Sequence, residues 1–210
     1  SLKRISCPII FLSPANDFHG RINDLGSAIN EIKSNEWRVS CSPHHNHQDS
    51  PEFEVATQLW FDRHLKEQSK IPVTPVVQLE LASGKLPGLS VNVDPCREVK
   101  GVEVFFTQQG IIEKRGGPKD NSSNTKHRFW QFVQPSKSGA DNTWTANLPI
   151  FDTQRPLWVF ANVVYALDET VSGAGYYYGT YQTDSFVLSS LLHTVSATEL
   201  SKSGTVPSKY

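Results

Sequence analysis

Pro8-Ile9-Ile10-Phe11-Leu12-Ser13-Pro14-Ala15-Asn16-Asp17 is an apolar run that stops at an acid. A second run, Trp37-Arg38-Val39-Ser40-Cys41, leads into Ser42-Pro43-His44-His45-Asn46-His47, and His47 falls thirty residues after Asp17. The proline-bounded run over 7–12 predicts a strand buried on both faces, as in a parallel sheet. Between the runs, Ile22, Leu25, Ile29 and Ile32 recur at helical spacing and predict a helix over 20–32. Strand, helix, strand implies parallel pairing through a right-handed crossover. Asp17 and the histidines then lie just past the C-terminal ends of two parallel strands, where open α/β sheets place their ligand crevices.

A second helix should follow. Ser50 can cap it, Pro51 suits the first helical position, and Glu52 and Glu54 favour the first turn. Val55, Leu59, Trp60 and Leu65 form its apolar stripe. Gln68-Ser69-Lys70-Ile71-Pro72-Val73-Thr74-Pro75 then reads as a semi-stiff linker. Beyond it the pattern changes to short alternating runs over 76–81, 89–93, 101–107, 128–133, 143–148 and 157–165. Turn-forming residues separate them, and about six or seven strands at this spacing suggest a β-sandwich. The expected architecture is α/β plus all-β. A βαβα portion spans 1–67, a linker 68–75, an immunoglobulin- or fibronectin-III-like β-sandwich 76–196 and a tail 197–210. The stretch 110–126 reads as a long exposed hairpin loop, and the tail reads as frayed or as a link to further sequence.

With 38% hydrophobic and 20% charged residues in 210, the composition is that of an ordinary soluble globular chain. A net charge of −1 offers no electrostatic argument for nucleic acid or an anionic membrane. No apolar run approaches the ~20 residues that cross a bilayer, and the N-terminus is not a signal peptide. The absence of methionine suggests a fragment, a processed product or a sequence read without its ends. Cys7, Cys41 and Cys96 form neither a metal-ligand spacing nor a disulfide framework and are expected to be buried thiols. Asn121-Ser122-Ser123 fits a glycosylation sequon.

Asp17 as a functional carboxylate would fix the tautomer of a histidine and stabilise its cation. Its bland alternative is a turn aspartate. Asp24 is a second acid, placed on the predicted helix and away from the strand edge. Among His44, His45 and His47, the last lies nearest the following helix and is preferred as a general base. A metal reading would recruit His44, His45 and His47 with His19 and Asp49, but no cofactor is expected. No Gly-x-Ser-x-Gly occurs in the chain, so a nucleophile elbow is missing. Trp130, Trp144, Trp158, Tyr165 and Tyr176-Tyr177-Tyr178 suit either sandwich packing or a sugar-stacking platform. Gly173-Ala174-Gly175 should mark a bulge or a close backbone approach.

The segments around Asp17 and His47, Ala56-Thr57-Gln58-Leu59-Trp60-Phe61-Asp62-Arg63-His64-Leu65-Lys66, and the later Val104-Phe105-Phe106-Thr107, Pro156-Leu157-Trp158-Val159-Phe160-Ala161-Asn162 and Gly173-Ala174-Gly175-Tyr176-Tyr177-Tyr178 resemble a known group. They are similar to the C-terminal part of bacterial α/β-hydrolases of the dienelactone-hydrolase-like and acetylxylan-esterase-like type, with the β-domain that follows there. The resemblance implies that Asp17 is the triad acid and His47 the triad base of a serine esterase. The nucleophile, the first strands of the sheet and the oxyanion-hole loop would come from an upstream segment or a second chain. It implies an ester substrate, by likeness an acetylated carbohydrate, and it points to export to the periplasm or beyond. The chain alone is expected to be inactive. The competing expectation is a non-enzymatic carbohydrate-binding or surface-interaction module.

Overall fold

The computed structural model describes residues 2–17, 19, 22–110, 128–139 and 141–208. The apolar run forms strand β1, Ile9–Leu12, and the second run forms β2, Trp37–Ser40. They pair in parallel, Ile9 opposite Trp37 and Leu12 opposite Ser40. A 3₁₀ turn, Ile22–Asp24, leads into helix α1, Leu25–Glu31, which supplies the crossover. Helix α2, Pro51–Lys66, follows β2 with Pro51 in its first turn. Ser50 occupies the cap position in extended backbone, yet its hydroxyl makes no cap bond and is buried without a partner. α2 buries Phe53, Val55, Ala56 and Trp60. Leu65, expected in the apolar stripe, is 75% exposed because it lies in the last turn, beyond the contact face.

The remainder is antiparallel, and the chain as a whole is mostly β-sheet with few helices. The strands are β3 (Val76–Glu80), β4 (Gly88–Asn92), β5 (Val99–Thr107), β6 (Gln131–Val133), β7 (Ser136–Ser138) and β8 (Thr143–Asn147). They continue with β9 (Leu157–Gly175), β10 (Gly179–Ser189) and β11 (His193–Val195). One sheet runs β3-β4-β8-β7. The other runs β10-β9-β5-β6, with β11 added to β9.

The second sheet is covered on both faces. Val102, Val104, Phe106, Val159, Ala161 and Val163 point into a core shared with Leu89 and Val91 of the first sheet. Phe105, Trp158 and Phe160 face the other way and pack with Ala15, Ile22, Cys41 and Trp130. This explains why β9 opens on a continuous apolar run rather than an alternating one. Polar contacts reinforce the second layer. The Cys41 amide donates to Ser189 Oγ at 2.7 Å, Ser189 Oγ donates to Asn162 Oδ1 at 2.6 Å, and Asn162 Nδ2 donates to the Cys41 carbonyl at 3.1 Å. All three residues are buried, and a closed ring of bonds leaves these groups satisfied.

Several expectations need correction. β1 is only half-buried, and Leu12 is 40% exposed; among the described residues β1 pairs with β2 alone. Cys7 and Cys96 are exposed, because both lie outside the strands, and only Cys41 is buried. Residues 68–75 are strapped down: Arg38 Nε donates to the Pro72 carbonyl, Arg97 Nε to the Lys70 carbonyl and the Val73 amide to Asp94. The tail is not frayed. Helix α3, Ala197–Lys202, begins with a capping box in which Ser196 and Glu199 satisfy each other's backbone amides, and it buries Leu200. Further on, the Val206 amide bonds to the Lys85 carbonyl and the Ser208 amide to the Ile150 carbonyl. The expected loop over 110–126, beyond Gly110, and the sequon at Asn121 lie outside the described residues.

Candidate functional site

Parallel pairing does not end with the strands. The amides of Ser13, Ala15 and Asn16 donate to the carbonyls of Ser40, Ser42 and His45, each at 3.0 Å. The loop after β1 and the loop after β2 therefore run side by side, which sets Asp17 against the histidine segment. His47 Nδ1 lies 2.9 Å from Asp17 Oδ2. Facing a carboxylate, that nitrogen carries the proton and donates it. The His19 amide donates to Asp17 Oδ1 at 2.7 Å, so both carboxylate oxygens are held. The Asp17 side chain is 6% exposed and that of His47 61% exposed.

The three histidines of the loop have separate tasks. His45 Nδ1 meets Ser42 Oγ at 2.6 Å. His44 has a positive φ of 64° and sets its ring 5.4 Å from Phe129; burial, and then the neighbouring charge of His45, lower its pKa. Only His47 reaches Asp17. His19 meets His47 edge-on, with ring centroids 5.0 Å apart. Among the described residues no group of three or more His, Cys, Asp or Glu is placed to hold a metal ion. Asp24 is exposed and bonded to Asn23, away from the pair.

The acid-bearing loop is also stapled to the antiparallel part. Trp130 Nε1 donates to Asn16 Oδ1 at 3.0 Å, and Asn16 Nδ2 donates to the Arg128 carbonyl at 2.8 Å. The Arg128 guanidinium is buried with its carbon 4.4 Å from the Trp158 ring centre and 5.8 Å from that of Trp130. Its Nε donates to the Gly110 carbonyl at 2.9 Å, Nη1 reaches the Ala15 carbonyl at 3.5 Å, and Nη2 is buried without a partner. Burial pushes this guanidinium down to about 10. Trp130, Trp158 and Tyr165 are thus interior residues, and Trp144 is partly buried against the core.

A cleft of about 290 Å³ opens beside the pair, between Leu12, Pro14, Phe53 and Tyr177. Larger concavities lie elsewhere. One of about 640 Å³ crosses β3, β4 and β8 with Glu80 as its one ionisable residue, and another of about 430 Å³ lies beside Arg38. Of these three, the small cleft is the one that holds an acid and a histidine in contact, the pairing that general acid–base chemistry uses. Sequence reasoning missed Asn16 and Arg128, whose roles depend on partners more than a hundred residues away. Comparison with family models, with curated proteins and with solved structures finds no match to this chain.

Proposed function

We propose that this chain supplies the acid and the base of a serine-type ester hydrolase, with the nucleophile on an upstream segment or a partner chain. The observation that supports the reading is the Asp17–His47 hydrogen bond at the C-terminal ends of two adjacent parallel strands. In this reading β1 and β2 are the last strands of an α/β-hydrolase sheet, and the two antiparallel sheets form a β-sandwich behind them.

With Nδ1 engaged by Asp17, the atom that exchanges the proton is His47 Nε2. A serine hydroxyl placed against it loses its proton as the oxygen attacks the ester carbonyl. The tetrahedral intermediate then collapses, and His47 returns the proton to the leaving alcohol. Water repeats the sequence on the acyl-enzyme. Asp17 stays ionised throughout and compensates the imidazolium charge. Ring orientation depends on the carboxylate, and the carboxylate is held by the His19 amide.

Hydrolysis of p-nitrophenyl acetate by the chain isolated with its native partners tests this. Asp17→Asn and His47→Ala should each lower kcat by about 10³-fold or more, while His45→Ala and His44→Ala should change it little. Equal activity in wild type and His47→Ala would remove the histidine from the reaction.

A further inference from the structure

Asp17 holds two histidines, each through a different oxygen. Oδ2 accepts from the His47 ring at Nδ1, 2.9 Å away, and Oδ1 accepts from the His19 main-chain amide at 2.7 Å. The second bond joins a carboxylate to the amide two residues on, the contact that closes an Asx turn. That turn returns the His19 ring to His47. The two rings meet at 76°, edge to face, with centroids 5.0 Å apart. Three contacts thus close a triangle, with Asp17 at one corner and a histidine at each of the others.

The His47 side chain is 61% exposed, so the core does not fix it. Its bond to Asp17 sets the distance from Nδ1 to the carboxylate, but the torsion that turns an imidazole about its Cβ bond has a broad, two-fold profile. The ring can therefore rock about that single bond, or turn over and lose it. A second ring packed edge to face against the first opposes both motions. His19 is exposed as well, so its ring contributes little to the core, and its contact with His47 is the feature that needs a reason. The Asx turn alone requires only the His19 amide, which any residue but proline supplies.

We infer that His19 is a positioning residue for His47. Its ring buttresses the imidazole in the orientation that keeps Nδ1 on Asp17, the arrangement in which Nε2 exchanges the proton. The use of that proton rests on the hydrolase reading above; the orientation of the ring does not.

Substitution separates the ring from the amide, because His19→Ala and His19→Phe both keep the main-chain bond to Asp17. The test is NMR of the ring nitrogens of His47 in the purified chain, with the imidazole neutral. These signals report the tautomer, which is set by the hydrogen bond that the ring makes. Wild type should show the Nδ1–H form, and Asp17→Asn should lose it. His19→Ala should lower the ratio of the Nδ1–H to the Nε2–H form about three- to tenfold. His19→Phe, which keeps a flat ring in place, should restore the wild-type ratio. An unchanged melting temperature in His19→Ala checks that the fold is intact. In the native assembly His19→Ala should lower kcat for p-nitrophenyl acetate by a similar factor with KM unchanged, and His19→Phe should recover it. A wild-type tautomer ratio in His19→Ala, or a ratio in His19→Phe as low as in His19→Ala, would overturn the inference. The tautomer is read without turnover, so a His47 that follows the His19 ring in an assembly that hydrolyses no ester defeats the hydrolase reading alone.

Discussion

Asn16 is the residue through which the antiparallel part acts on the acid loop. Its side chain accepts from the Trp130 indole and donates to the Arg128 carbonyl, and all three residues are buried. Removing it leaves a buried donor and a buried acceptor unsatisfied, at about 1–3 kcal/mol each. Asn16→Ala is therefore expected to lower the melting temperature and, in the assembly proposed above, to reduce kcat with little change in KM, because Asp17 loses its fixed position. Trp130→Phe deletes the indole N–H and also leaves a cavity where the larger ring packed, so it should lower the melting temperature through both losses. A fall in stability with kcat unchanged would make Asn16 purely structural. At this scale the sequence is legible where chemistry has a local signature. Asp17 and His47 stand at the ends of two recognisable runs, and of three neighbouring histidines the one nearest the following helix meets the acid. Asn16 has no such signature, since its partners are 112 and 114 positions away.

The β9–β10 hairpin offers a pH-dependent test at the level of the element. The hydrogen bond that anchors the hairpin tip to Glu54 of α2 pushes the Tyr178 phenol up to about 12 from its usual 10. A raised pKa means that the anchor contributes fully below the ordinary phenol range and is lost as pH rises through about 12. Difference absorbance of the phenolates should therefore show one tyrosine titrating near 12, absent in Tyr178→Phe and returned towards 10 in Glu54→Gln. Titration of that tyrosine unaltered by Glu54→Gln would contradict the anchor. This hairpin was only half-legible in the chain. The apolar start of β9 reads as a strand, but Thr180, Gln182, Thr183, Asp184 and Ser185 in β10 resemble a loop, and their conformation comes from the ladder to β9. Similarly α3, six residues long, is too short for periodicity, and its one local sign was the capping box Ser196–Glu199.

At the scale of the whole molecule, the two composition regimes are joined rather than beaded. Ala15, Ile22 and Cys41 share one buried cluster with Phe105, Trp130, Trp158 and Phe160, so the second sheet is both the wall of its own core and the packing surface for the loops that follow β1 and β2. That arrangement could not be read from periodicity, which reports which face of an element is apolar but not what lies against it. β1 remains half-buried although all four of its residues are apolar, and Leu12 stands exposed at the mouth of the cleft. In the proposed assembly a further parallel strand pairs with the open edge of β1, and the nucleophile comes from outside these residues. Mass spectrometry of the native assembly after treatment with a fluorophosphonate tests the central claim most directly. The expected result is a single serine adduct, on a Gly-x-Ser-x-Gly segment outside these 210 residues, and its loss in His47→Ala. An unlabelled assembly, or an adduct on a serine of this chain, would contradict it.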